Sequence, residues 1–381
     1  MTPMSLPGRR QASAAGRLRQ PTAGWGLAGQ GAAALAAGMG VGRFVYTPIL
    51  PLMQLSPRVG AGLATANYLG YLLGAVITIA APPLVRSRLV LRAALVVLVA
   101  TLALMPTATT WWPALRLLAG VASALIFVGA STTMLTTLSP HLVGWSIGGV
   151  GAGIALSGVA VLAVHTWQQA WWTATALAAV LTAIAWRLPA ATPPATHRQP
   201  RPTPAGRRSF AVALTSYSLE GVGYIIAGTF LVAAIDQSVP GHAGTAAWIL
   251  VGLAALPSSA FWAWLSHKHS RRGLLVSALV LQSFGIALPA VLGGVVPALL
   301  SAALFGATFL GINTTVLAIG AELRIPRAVA ILTTGYSIGQ VLGPLAVNPL
   351  LHNGYRLPLL LGAALVALAA TTATFLTNQE S

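Results

Sequence analysis

Apolar residues run along this chain in stretches of about 20, divided by short polar, basic or proline-rich breaks. A helix needs about 20 apolar residues to cross a ~30 Å hydrocarbon core. Twelve stretches reach that length: roughly 25–53, 59–82, 89–107, 112–137, 143–164, 168–187, 209–234, 243–266, 273–293, 295–318, 326–349 and 356–377. The ninth and tenth are divided by Gly293, Gly294 and Pro297, and the eleventh opens at Pro326 and Arg327. Residues 188–208 are dominated by Pro, Thr and Arg and keep no apolar period, so they read as a linker. The pattern predicts an all-α integral membrane protein of 12 transmembrane helices in two pseudo-symmetric six-helix bundles. The predicted divisions are a tail (1–24), a bundle (25–187), the linker (188–208), a second bundle (209–377) and a short tail (378–381).

Composition removes the alternatives. Charged residues make up 7% of the chain and hydrophobic residues 56%, where soluble domains carry roughly 25% charged. Residues 117–186 and 273–321 contain no Asp, Glu, Lys or Arg. A soluble enzyme or a disordered chain cannot have this composition. The net charge of +17 could signal nucleic-acid binding. The basic residues, however, sit in short clusters between apolar runs, so no nucleic-acid partner is expected. The first, fourth and later alternate clusters face one side: Arg9, Arg10, Arg17 and Arg19; Arg86, Arg88 and Arg92; Arg187, Arg198, Arg201, Arg207 and Arg208; Lys268, Arg271 and Arg272; Arg324 and Arg327. Only Arg58 and Arg356 fall on the other. The positive-inside rule then places both termini in the cytoplasm. The basic, proline-containing start resembles a signal-peptide n-region, but the apolar run after it is too long for one and reads as the first helix. Trp111, Trp112, Trp167, Trp171 and Trp172 cluster near predicted helix ends as an aromatic belt would. There is no cysteine, no metal spacing among the seven His and no Walker A motif. No cofactor or metal is expected.

The halves repeat. Gly40-Val41-Gly42-Arg43 meets Gly221-Val222-Gly223-Tyr224, the stretch 127–135 (FVGASTTML) meets 309–317 (FLGINTTVL), and 146–150 (SIGGV) meets 337–341 (SIGQV). These matches pair helices one, four and five with seven, ten and eleven in the same order. An even number of helices separates the partners, so the repeats are parallel, as in transporters built from two six-helix halves.

The run Gly40-Val41-Gly42-Arg43-Phe44-Val45-Tyr46-Thr47-Pro48-Ile49-Leu50-Pro51-Leu52-Met53 resembles the G-x-G-R-F-x-Y-T-P-x-L-P-x-M pattern of the YbfB/YjiJ family of major facilitator superfamily transporters. Residues 217–226 (YSLEGVGYII), followed by Thr229-Phe230-Leu231, are similar to its helix-seven pattern. The resemblance implies a twelve-helix secondary transporter of the bacterial inner membrane and names no ligand. The chain departs from the wider superfamily in the loops after helices two and eight, which are basic but lack the Asp of the superfamily's gate latch. Helix five lacks the Gly-Pro pair of drug antiporters, and Gly343-Pro344 stands in helix eleven instead. Arg116 through Gly120 resembles the helix-four R-x-x-x-G element.

Few residues can carry chemistry. An ionisable side chain within a membrane is costly and faces a cavity or a partner. Glu220 lies about 11 residues into helix seven, ~16 Å along it. Burial disfavours the charged form of a carboxyl, as a proton-coupling group requires. Arg43 lies in the outer half of helix one, where its planar fork suits an anionic substrate group. Arg116 lies only ~6 Å from the start of helix four, shallow enough to snorkel, with gating or coupling as the functional alternative. Arg43 and Glu220 would face one central cavity and compensate each other, directly or through water. Pro48 and Pro51 interrupt helix one just beyond Arg43 and free carbonyls there. Tyr46, Tyr68, Tyr71, Tyr224, Asn313, Tyr336 and Gln340 are the expected substrate-lining residues, among a set of intramembrane handles that also includes Asn67, Tyr217 and Asn348. Each one taken alone reads first as interhelical packing, and as a set some line the cavity. The expected function is alternating-access transport of a small organic solute with an anionic group, with protons as the candidate coupling ion. The lipid bilayer is the expected partner and a monomer the expected working unit. The competing reading is an integral membrane enzyme acting on lipid or a lipid-linked substrate. Its acid–histidine pairing is not visible in a chain with four acidic residues.

Overall fold

The computed structural model describes residues 21–190, 203–239, 241–323, 325 and 327–377. Residues 1–20 and 378–381 of the expected tails, the middle of the linker (191–202), and Pro240, Arg324 and Pro326 lie outside the described residues, and so do Arg9, Arg10, Arg17, Arg19, Arg198 and Arg201; residues 21–24, expected in the tail, already belong to the first helix. The described residues contain helices and no strand.

The helices follow the apolar runs. They are α1 (Gly24–Met53), α2 (Pro57–Ala80), α3 (Arg88–Leu104), α4 (Trp112–Thr137), α5 (Pro140–Leu162) and α6 (Trp167–Ala185). After the linker come α7 (Pro204–Ser238), α8 (Ala243–Leu265), α9 (Arg271–Val291), α10 (Val295–Glu322), α11 (Ala328–Val347) and α12 (Arg356–Ala373). Ten of these are long and apolar enough to cross a membrane. The other two are α3, whose 17 residues span about 25 Å, and α6, whose first residues Trp167, Gln168, Gln169, Trp171 and Trp172 dilute its hydropathy.

Local chemistry sets the starts. Ser56, Ser87, Thr166, Thr203 and Ser270 each accept the third following backbone N–H as an N-cap, and Thr166 forms a capping box with Gln169. Thr203 followed by Pro204 therefore begins α7 earlier than expected, and residues 204–208 are helical rather than linker. Gly294, at φ 103°, makes the turn between α9 and α10 that only its lack of a Cβ permits without strain.

Helix α1 is not regular. Ala36–Val41 form a π-helical turn, in which Gly42 N–H bonds Ala37 O at 2.8 Å and Phe44 N–H bonds Met39 O at 3.2 Å. Regular helix resumes at Tyr46–Ile49 and tightens to 3₁₀ at Leu50–Met53. The expected disruption at Pro48 and Pro51 thus begins about three turns earlier, at Ala36. Backbone-to-backbone packing accompanies it: a Cβ on Gly40 would lie 2.5 Å from Gly153 Cα on α5.

The packing pattern recurs six helices on. Helix α2 packs on α4 as α8 packs on α10, and α3 on α4 as α9 on α10. Helix α1 packs on α5 and α6 as α7 packs on α11 and α12. The α2–α11 and α5–α8 pairs form the larger contacts between residues 21–190 and residues 203–377, and the outer part of α1 adds a smaller one with α7. The outside is apolar: Val96, Leu135, Val180, Leu253, Phe284, Val296 and Phe375 are exposed, as lipid contact requires. The aromatic belt holds for Trp111 and Trp172, which are exposed, but Trp171 is fully buried.

Candidate functional site

The helical repeat places the polar candidates on shared faces. Tyr68 and Tyr71 lie three apart on α2, and Tyr336 and Gln340 four apart on α11. Phe305, Phe309 and Asn313 follow at fours on α10, and Tyr217, Glu220 and Tyr224 lie on one stripe of α7. These stripes converge on the irregular part of α1.

Arg43 is 2% exposed. Its Nη2 donates to Gln340 Oε1 at 2.6 Å, across the contact between the two halves. Its guanidinium carbon lies 4.2 Å from the Tyr71 ring centroid, 4.9 Å from Tyr68 and 5.4 Å from Phe44. Nε and Nη1 have no hydrogen-bond partner among the described residues. The ring cage supplies the attraction that hydrogen bonds do not.

An aromatic shelf faces this cage from the second half. Tyr217 stacks on Tyr336 at 4.4 Å, Tyr336 on Tyr224 at 5.6 Å, and Tyr224 on Phe309 and Phe305 at 5.0 and 5.9 Å. Phe44 meets Phe309 edge-on at 5.9 Å and connects the cage to the shelf. Tyr217 donates to Asn313 Oδ1, whereas the Tyr336 hydroxyl lies beside Asn313 and the Tyr224 hydroxyl beside that of Tyr336 without a well-formed hydrogen bond.

Arg116 has a different place. It is 1% exposed, so the snorkelling expected from its depth does not occur. Its ring neighbours are Tyr46 at 4.7 Å and Trp171 at 6.0 Å. Nη1 and Nη2 donate to the carbonyls of Gly42 and Arg43 at 3.4 and 3.3 Å. The cause lies in α1: Thr47 N–H bonds Phe44 O instead of Arg43 O, which leaves that carbonyl in need of another donor. Asn67 Nδ2 donates in turn to Arg116 O at 2.9 Å. Tyr46 belongs to this cluster, its hydroxyl on Gly60 O at 2.9 Å, and not to the cage around Arg43.

Glu220 is fully buried, and neither carboxylate oxygen has a hydrogen-bond partner among the described residues. Gln282 of α9 lies beside it without a well-formed hydrogen bond, its own amide atoms also unpartnered. Tyr217, Tyr224 and Tyr336 lie close enough to interact electrostatically with the carboxyl. The direct Arg43–Glu220 compensation expected from the sequence is absent. Among the described residues the ion pair is Arg271–Glu322, at 2.8 Å. Arg43 is held on the α2–α11 side, while Glu220 turns into its own half. Gln282 is the residue that sequence reasoning passed over. Its signal was a lone amide within a charge-free run.

Among the described residues, three side-chain hydrogen bonds tie the halves together: Arg43 to Gln340, Thr47 Oγ1 to Gly228 O at 2.6 Å, and Tyr68 with Thr229 at 2.8 Å. All three involve the outer part of α1 or its neighbour α2. The basic loop after α8 lacks an Asp, and the carboxylate meeting its end, Glu322, comes from α10. The arrangement offers a caged cation and stacked phenols where the two halves meet, with a buried acid behind them in the second half.

No curated protein matches the chain. A family described as "Uncharacterised MFS-type transporter YbfB" matches residues 35–374, which include every residue of the site. The chain therefore belongs to the YbfB family of major facilitator superfamily transporters.

Proposed function

We propose that this protein is a secondary active transporter of small organic anions that works by alternating access. The observation that carries the reading is Arg43, a buried cation where the halves meet, with two guanidinium nitrogens lacking partners. An unpaired charge at such depth costs at least ~2.5–3.5 kcal/mol on insertion scales, so a bound anion would relieve it. In this reading all twelve helices cross the bacterial inner membrane, with α3 and α6 tolerated as short or polar spans because neighbours cover them. Residues 25–187 and 209–377 act as two six-helix bundles. The sixfold-shifted packing pattern and the parallel sequence repeats support the two-bundle division. The clustering of basic residues supports cytoplasmic termini. A monomer contains both walls of the site.

Proton coupling is assigned to Glu220, now through the phenols of Tyr217, Tyr224 and Tyr336 and not through Arg43 directly. The test is uptake and counterflow in proteoliposomes. Arg43→Lys should weaken binding about tenfold, since a point charge cannot replace the fork. Glu220→Gln should keep exchange but lose the response to a proton gradient. Unchanged gradient-driven uptake by Glu220→Gln would remove the proton assignment, and Arg43-independent transport would remove the anion site.

A further inference from the structure

We infer that the transported anion is a planar aromatic carboxylate, which rests on the anion-transporter reading above and narrows it to one chemical class. The two faces that meet at the site are complementary in an unusual way. The first half presents a guanidinium held among Tyr68, Tyr71 and Phe44. The second presents stacked rings, with Tyr224 within 8° of parallel to Phe309 and 18° of parallel to Tyr336. They meet through the Phe44–Phe309 edge contact, the hydrogen bond to Gln340 and the Tyr68–Thr229 hydrogen bond, where α2 packs on α11. When the halves part there, a slot opens with a cation on one wall and ring faces on the other.

Gln340 Oε1 occupies the place of a carboxylate oxygen. It is an sp² oxygen accepting from Arg43 Nη2 at 2.6 Å, and a substrate carboxylate in its position would also reach the donors that now lack partners. An aromatic body attached to that carboxylate would enter between Phe44 and Phe309 and stack on the shelf. Packing alone does not account for the shelf. Leucine would fill the same volume without burying the hydroxyls of Tyr224 and Tyr336, whose neighbours Tyr336 and Asn313 give them no well-formed hydrogen bond, and buried hydroxyls so poorly paired are costly.

The test is a thermal-shift and equilibrium-binding panel on the purified full-length protein in lipid nanodiscs. The probes are benzoate, 4-hydroxybenzoate, cyclohexanecarboxylate, hexanoate and neutral benzamide at one ionic strength. Benzoate and 4-hydroxybenzoate should stabilise the protein, with cyclohexanecarboxylate and hexanoate about tenfold weaker and benzamide inactive. Arg43→Gln should abolish the response to every acid. Phe309→Leu and Tyr336→Leu should erase the preference for aromatic acids, and unliganded melting and gel-filtration profiles establish that each variant is folded. If cyclohexanecarboxylate and hexanoate bind as tightly as benzoate and Arg43→Gln removes both, the aromatic class is wrong and the anion reading stands. If no acid binds, or binding survives Arg43→Gln in a folded variant, both are wrong.

Discussion

Two buried arginines one turn of reasoning apart show how depth along a helix differs from environment. Sequence position gave Arg43 its place near a helix break, but it gave Arg116 the wrong surroundings. Counting residues from a helix end measures distance to the membrane surface along one helix only. It cannot know that Trp171 of α6 and Tyr46 of α1 close over the guanidinium, or that Thr47 N–H turns to the Phe44 carbonyl and leaves that of Arg43 open. Arg116 thus pins the backbone that carries Arg43. Arg116→Met keeps much of the volume but removes the donors to the Gly42 and Arg43 carbonyls, at a cost of about 1–3 kcal/mol for the orphaned acceptors. Its melting temperature should fall clearly below wild type, with Arg116→Lys recovering only part of the loss. Melting of Arg116→Met at the wild-type temperature would mean that Arg116 pins nothing.

At the scale of elements, nearly every helix could be placed from the apolar runs, because burial in lipid imposes a length that short soluble helices do not have. The internal structure of α1 could not. Its proline signals marked the right helix, but a π-helical turn depends on the close approach of α5 at Gly40 and Gly153, a tertiary event. The same physics separates glycines that read alike in sequence. On α2, a Cβ at Gly70 would lie 1.9 Å from Leu117 O of α4, whereas one at Gly62 would meet nothing within 4 Å. Gly70→Ala must push α2 from α4 and should destabilise by about 1–3 kcal/mol. Gly62→Ala should stabilise by up to about 1 kcal/mol through helix propensity. Comparing the two melting temperatures checks this, since equal shifts would show that the α2–α4 contact is not tight at Gly70.

For the whole molecule, the ties between halves set what motion is possible. Thr47–Gly228, Tyr68–Thr229 and Arg43–Gln340 all lie around the outer part of α1, while its first turns pack on α4, α5 and α6 of their own half. None of this was legible beforehand, because each tie joins residues at least 161 positions apart and depends on which state the halves adopt. If transport proceeds by rocking, these ties must break once per cycle. The chain has no cysteine, so a cross-link can be placed there without background. In a Thr47→Cys, Gly228→Cys double variant, a short thiol-reactive bridging reagent should stop uptake and counterflow. Reduction of a cleavable bridge should restore both, and each single variant should keep activity after the same treatment. Only a motion that separates α1 from α7 at this contact gives that combination; bridged protein that transports at the rate of the reduced form would place the moving interface elsewhere.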